Sequence, residues 1–137
     1  NITIPIQQQG GSRVLVVDDD QGVLAMTRAI LDATGFKAIP ATSGEQAVQI
    51  YQQSIQEGSP IELVLLDLTL PGGMNGLETL GALRELDGNV QVIATSGYFD
   101  ESAAQGARKR GFVGILPKPY TAERLMKLVQ WGMSRAA

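Results

Sequence analysis

Ile61-Glu62-Leu63-Val64-Leu65-Leu66-Asp67 is the stretch from which the fold of this chain can be read. An apolar run of that length, rich in branched residues and followed by Pro71, Gly72 and Gly73, predicts a strand buried on both faces. Asp67 is the anomaly. A strand this apolar should not end in a charge unless the charge has a task at the sheet edge. In open α/β sheets, ligands bind outside the carboxyl ends of the strands. What else the chain brings to that edge then decides its chemistry.

Working outward, Arg13-Val14-Leu15-Val16-Val17 is a second buried strand, and it too ends in acid, at Asp18-Asp19-Asp20. Val23, Met26, Thr27, Ile30 and Leu31 recur at helical spacing, with Asp20 placed to cap that helix and Gly35 to end it. Phe36 to Pro40 predicts a short strand. Ser43 with Gln46 resembles a capping box for a helix with Ala47, Ile50, Tyr51 and Ile55 on its inner face. Beyond the central strand, Leu77, Leu80 and Leu83 mark a third helix that ends near Asp87-Gly88. Val90 to Thr95 predicts a fourth strand. Asp100 or Ser102 starts a fourth helix whose inner face is only Ala103, Gly106 and Ala107. Phe112 to Leu116 predicts a fifth strand. Thr121 caps a last helix with Leu125, Leu128 and Val129 inward. Strands alternating with helices over short loops predict an α/β fold, a parallel sheet covered by helices on both faces.

Composition narrows the function. The chain has 137 residues, enough for one domain, and 44% hydrophobic residues, which argues against disorder. Residues 1–12 read as a linker or tail, with Asn1 to Ile6 resembling the closing strand of a preceding domain; the domain proper is expected at 13–137. Net charge is −3, and the basic cluster Arg108-Lys109-Arg110 is too small for a nucleic-acid footprint, so no nucleic-acid partner is expected. There is no cysteine and no histidine. Disulfides, thiol chemistry, histidine triads and histidine-ligated metals are excluded. No run is long enough to span a bilayer and no signal peptide is visible, so a cytoplasmic location without membrane contact is expected.

By this reading, four strands deliver polar residues to one edge: Asp18 and Asp19, Asp67, Ser96, and Lys118 just after the fifth. Three carboxylates packed together repel one another. A divalent cation relieves this, and an oxygen-only ligand set suits Mg2+ better than zinc or copper. With the ammonium of Lys118 and the hydroxyl of Ser96, the set forms a site for a phosphoryl group, whose charge spreads over three oxygens. Taken singly, an Asp-Asp after a strand is usually a turn and a cap, and Lys118-Pro119 says little. The order in which all of them fall at strand ends is what carries weight.

Four segments together resemble the response-regulator receiver domain of two-component signalling. They are Val14 to Asp20, Leu65 to Gly76, Ala94 to Tyr98 and Leu116 to Tyr120. The resemblance implies a flavodoxin-like, doubly wound (βα)5 fold with five parallel strands in the order 2-1-3-4-5. It implies Asp67 as phosphoacceptor, and Asp18, Asp19, Asp67 and the backbone carbonyl of Thr69 as the Mg2+ site, with Asp18 acting mostly through water. It implies Ser96, rather than its neighbour Thr95, as the switch hydroxyl, and Lys118 as the phosphoryl partner that pairs with Asp67 beforehand. The donor would be a histidine kinase or a histidine phosphotransfer domain. The switched surface would be formed by the fourth helix, fifth strand and fifth helix. Two departures stand out. Ile115 occupies a position where relatives often carry a rotating Tyr or Phe. Tyr98 lies two residues after Ser96, where it could screen an acyl phosphate from water and slow its loss.

The Gly72-Gly73-Met74-Asn75-Gly76 loop, Thr95-Ser96-Gly97-Tyr98 and the Pro117-Lys118-Pro119-Tyr120 end are similar to receivers fused to kinases, which points to the receiver of a hybrid histidine kinase rather than a stand-alone single-domain regulator. Two other functions fit an acidic edge on such a sheet: a Mg2+-dependent phosphatase with an aspartyl nucleophile, and a non-phosphorylated interaction module. The sequence is silent on oligomeric state.

Overall fold

The computed structural model describes residues 12–97 and 101–136, the latter without the side chains of 101, 103, 135 and 136. The strands are β1 (Ser12–Val17), β2 (Phe36–Ala41), β3 (Leu63–Asp67), β4 (Val92–Ser96) and β5 (Gly114–Pro117). The helices are α1 (Gln21–Ala33), α2 (Gly44–Glu57), α3 (Gly76–Leu86), α4 (Glu101–Lys109) and α5 (Ala122–Ala136). All strand pairs are parallel, in the order β2-β1-β3-β4-β5, as expected from the alternation and the resemblance.

β3 lies at the centre, and its alternating side chains serve two cores. Leu63 and Leu65 pack with Val14, Val16, Leu24, Leu31, Leu125 and Val129, on the face covered by α1 and α5. Val64 and Leu66 pack with Leu15, Val17, Tyr51, Leu80 and Leu83, on the face covered by α2 and α3. Each such buried leucine stabilises the fold by about 1.5–3 kcal/mol relative to exposure. This burial on both sides is why the strand reads as a continuous apolar run.

Boundaries and faces differ from expectation in specific places. β1 already includes Ser12, one residue before the expected domain start. β4 starts at Val92, because Val90 donates its amide to Asp87 O at 3.1 Å in a turn. β5 starts at Gly114, because the Phe112 amide bonds back to Ala107 O at 3.2 Å while its ring fills the core. α1 buries Leu24, Thr27 and Leu31, whereas Met26 is 41% exposed. α2 buries Ser54 rather than Ile55, and in α3 Leu77 faces solvent. Of the expected inner face of α4, Ala107 is buried and Gly106 half-buried. Gly35 follows α1 with a φ of 92°, a left-handed conformation that suits glycine, and its amide donates to Asp32 O.

Candidate functional site

Strand register builds the site. Val17 of β1 pairs with Leu66 of β3, so Asp18 and Asp67 emerge side by side. Asp67 pairs with Thr95 of β4, and Ser96 with Pro117 of β5. The order of the strands thus lines Asp18, Asp67, Thr95 with Ser96, and Lys118 along one sheet edge. Asp18, Asp67, Thr95 and Ser96 are buried, while Asp19 is exposed.

Asp18, Asp19 and Asp67 each offer a carboxylate oxygen within 4.8 Å of the others. The Lys118 ammonium reaches between two of them, 2.6 Å from Asp18 Oδ2 and 3.2 Å from Asp67 Oδ2. The remaining oxygens are bound locally. Asp18 Oδ1 accepts the Asp20 amide at 2.9 Å. Asp67 Oδ1 accepts the Thr69 amide at 2.9 Å and the Thr69 hydroxyl at 2.8 Å. Each buried carboxylate is therefore oriented by its own turn, with its other oxygen left toward the lysine. Asp20 caps α1, its Oδ1 accepting the Gly22 and Val23 amides at 2.8 and 3.2 Å. The Lys118 amide donates to Ser96 O at 2.8 Å, joining the end of β4 to the loop after β5.

Charge follows from this geometry. Burial raises the Asp18 pKa, with help from the neighbouring negative charge of Asp67; the Lys118 contact and the Asp20 amide oppose the rise but do not cancel it. For Lys118, burial alone would weaken its hold on the proton, but Asp18 and Asp67 more than offset that and raise its pKa. Three carboxylates face one ammonium. The donor set is all oxygen, so a hard divalent cation of the Mg2+ kind fits the chemistry of the residues present.

The sequence profile described as "Response regulator receiver domain" matches residues 14–130. The chain belongs to this family. As a receiver domain it is the phosphoacceptor component of two-component phosphorelays, a class that generally binds Mg2+ in an acidic pocket of this kind. Chemotaxis protein CheY of Bacillus subtilis (strain 168) is 31% identical over 118 residues, which is 85% of this chain and 93% of that protein. Sensor kinase CckA of Brucella abortus (strain 2308) is 28% identical over 121 residues, 88% of this chain but 12% of the kinase. Among solved structures, a chain of the CheX-CheY-BeF3-Mg+2 complex from Borrelia burgdorferi superposes with a TM-score of 0.79. It is 29% identical, with 87% of each chain covered.

The structure brings Asp18, Asp19, Asp67 and Lys118 together, as the receiver reading expects. Thr69 adjoins Asp67 through its amide and hydroxyl. Ile115 is half-buried on β5 and packs against the α2–α3 side of the core. Tyr98 lies outside the described residues. Several contacts escaped sequence reasoning. The shorter of the two Lys118 contacts is to Asp18, not to Asp67, the partner that the receiver reading names for the lysine. The Thr69 hydroxyl on Asp67 was unforeseen. So was a 2.6 Å bond between the buried hydroxyls of Thr27 and Tyr120. Nothing in the sequence signals a pair 93 positions apart, whereas Thr69 on Asp67 is a local contact. The capping box of α3 could have been found: Asn75 Oδ1 accepts the Glu78 amide at 2.8 Å, and Glu78 Oε1 accepts the Asn75 amide at 3.0 Å. Its signal is Asn75 followed three residues later by a glutamate.

Proposed function

We propose that Asp67 is the phosphoacceptor of this receiver domain. The observation that carries the reading is its placement: buried at the end of β3, 3.2 Å from Lys118 Nζ, with Asp18 and Asp19 beside it. Asp18, Asp19, Asp67 and the Thr69 carbonyl are the residues that would hold Mg2+. When bound, that ion supplies positive charge against the transferring phosphoryl oxygens.

The protein's own groups do the rest. An Asp67 carboxylate oxygen attacks the phosphorus of a phosphohistidine presented by a histidine kinase or histidine phosphotransfer domain. The new O–P bond forms as the N–P bond breaks, and the imidazole leaves with the electron pair. Lys118 passes from the Asp67 carboxylate to the phosphoryl oxygens. The Ser96 hydroxyl then donates to the acyl phosphate; Thr95 is its neighbour on β4. Because the Ser96 carbonyl holds the Lys118 amide, movement of Ser96 is carried into β5 and so to the face made by α4, β5 and α5. Ile115 on that strand takes the place of a rotating aromatic ring. Tyr98 slows loss of the phosphoryl group.

Two contexts fit this role, and we favour the receiver of a hybrid histidine kinase over a stand-alone regulator. The loop and strand-end motifs named above support it, as does similarity to a segment that is 12% of the sensor kinase CckA. Such a domain works in the cytoplasm with protein partners, not with nucleic acid or membrane. Among the described residues no helix is long and apolar enough to cross a membrane.

Incubation with Mg2+ and acetyl phosphate, followed by intact mass, tests the reading. The wild-type chain should gain one phosphoryl group, and Asp67→Asn should gain none. Continuous release of phosphate without a labelled chain would support the aspartyl phosphatase instead. No reaction at all would support the interaction module.

A further inference from the structure

We infer that Tyr120, through its hydrogen bond to Thr27 of α1, is a positioning residue for Lys118 in phosphoryl transfer to Asp67. The inference rests on the proposed role of Asp67 and Lys118.

Tyr120 OH and Thr27 Oγ1 lie 2.6 Å apart, although 93 positions separate the residues in sequence. Thr27 is fully buried and Tyr120 is 7% exposed. Tyr120 packs in the apolar cluster of Leu24, Leu31, Val16 and Leu125. In such surroundings a lone hydroxyl is costly, and a Phe facing a Val would fill the space without any polar requirement. Packing alone therefore does not call for this pair. What the pair adds is direction: one fixed register between α1 and the segment that carries Lys118.

That segment is held at two points. The Lys118 amide is bound to Ser96 O at 2.8 Å, on the element that engages the phosphoryl group. Two residues further on, Tyr120 is bound to α1. The start of α1 is itself tied to the acidic corner, since Asp20 caps the helix and donates its amide to Asp18 Oδ1. The Tyr120–Thr27 bond thus fastens the lysine loop to the same rigid corner that carries Asp18. With it, Lys118 keeps its reach to both Asp18 and Asp67 when the Ser96 anchor shifts. Without it, the ammonium loses its aim at the transferring group, while the three carboxylates stay where they are.

This separates two readouts. In the reaction with acetyl phosphate, an Asp67 oxygen bonds to phosphorus and the acetate oxygen leaves with the electron pair. The rate of this step at saturating phosphodonor depends on the aim of Lys118. Mg2+ affinity depends on the carboxylates. Tyr120→Phe and Thr27→Val should each slow the saturated rate on the order of tenfold. Mg2+ affinity measured by calorimetry should not fall below that of the wild type, because the ammonium that competes with the ion at Asp18 and Asp67 is held no closer. The double variant should be no slower than either single one, because both remove the same bond. Thr27→Ser, which keeps a hydroxyl, should restore the rate.

Wild-type rates in both Tyr120→Phe and Thr27→Val would overturn the inference. So would effects that multiply in the double variant, or a parallel fall in Mg2+ affinity. Should Tyr120→Phe fold poorly, Thr27→Val decides the question by itself, since it removes the same bond from the other side. Failure of the underlying reading is distinct: the wild-type chain would then take up no phosphoryl group, or Asp67→Asn would still take it up.

Discussion

Asp18 carries the electrostatic tension of the pocket. Its pKa is raised above the usual 3.8, chiefly by burial. A carboxylate shifted upward on folding contributes stability below 3.8, and that contribution is lost as pH rises through the folded value. Ionising Asp18 therefore costs more in the folded chain than in the unfolded one, a cost that a coordinated cation offsets. Mg2+ should therefore raise the thermal midpoint at neutral pH. Its affinity should start to fall, on acidification, at a higher pH than for a site of ordinary carboxylates. Calorimetric Mg2+ titrations across the acidic range check this; a fall in affinity centred on 3.8, where ordinary carboxylates titrate, would contradict it. Much of this pocket was legible in the sequence, because each carboxylate interrupts a run that should have stayed apolar. The Asp18–Lys118 contact was not, because it depends on where a long side chain settles between two near-equivalent partners. The Thr27–Tyr120 bond was hidden for a similar reason: nothing local distinguishes a paired buried hydroxyl from a core residue.

At the scale of elements, the start of α3 presses against the end of β3. A Cβ on Gly76 would sit 2.8 Å from Leu68 Cα and 2.9 Å from Asp67 O, both main-chain atoms that cannot swing aside. Gly76→Ala should cost about 1–3 kcal/mol, the usual range for overpacking. It should also slow phosphorylation, since the displaced strand end carries Asp67. Urea unfolding read beside the acetyl phosphate rate measures both; a variant that matches wild type in each would contradict the packing argument. Helix positions were legible from periodicity, but their faces only approximately. Met26, Ile55 and Leu77 fit the apolar period of their helices and yet lie 41%, 47% and 41% exposed. An apolar residue at the flank of a helical stripe fits the period as well as one at its centre. Which flank is covered depends on where the next helix crosses, and that is a property of the assembled fold.

For the whole molecule, the alternation of short apolar runs and helical stripes was enough to predict the parallel sheet, and the family motifs its strand order. The run predicted to be buried on both faces does divide the core into two halves, at β3; what stayed out of reach was which helices cover each face. Leu65 and Leu66 are neighbours in sequence but serve opposite faces, one against α1 and α5, the other against α2 and α3. Leu65→Ala and Leu66→Ala should each destabilise by about 2–5 kcal/mol, as large-to-small changes in a core do. Each should leave a single unfolding transition, because one strand is shared by both halves. Separate transitions in calorimetry would show the halves to be independent.

All of these expectations meet in one covalent bond, between phosphorus and an oxygen of Asp67. Borohydride reduction of the phosphorylated chain converts an aspartyl phosphate to homoserine, and peptide mass spectrometry then locates it. The predicted result is homoserine at position 67 and nowhere else, dependent on Mg2+ during labelling. Reduction at Asp18 or Asp19 with position 67 unchanged, or labelling on a hydroxyl such as that of Ser96, would contradict it.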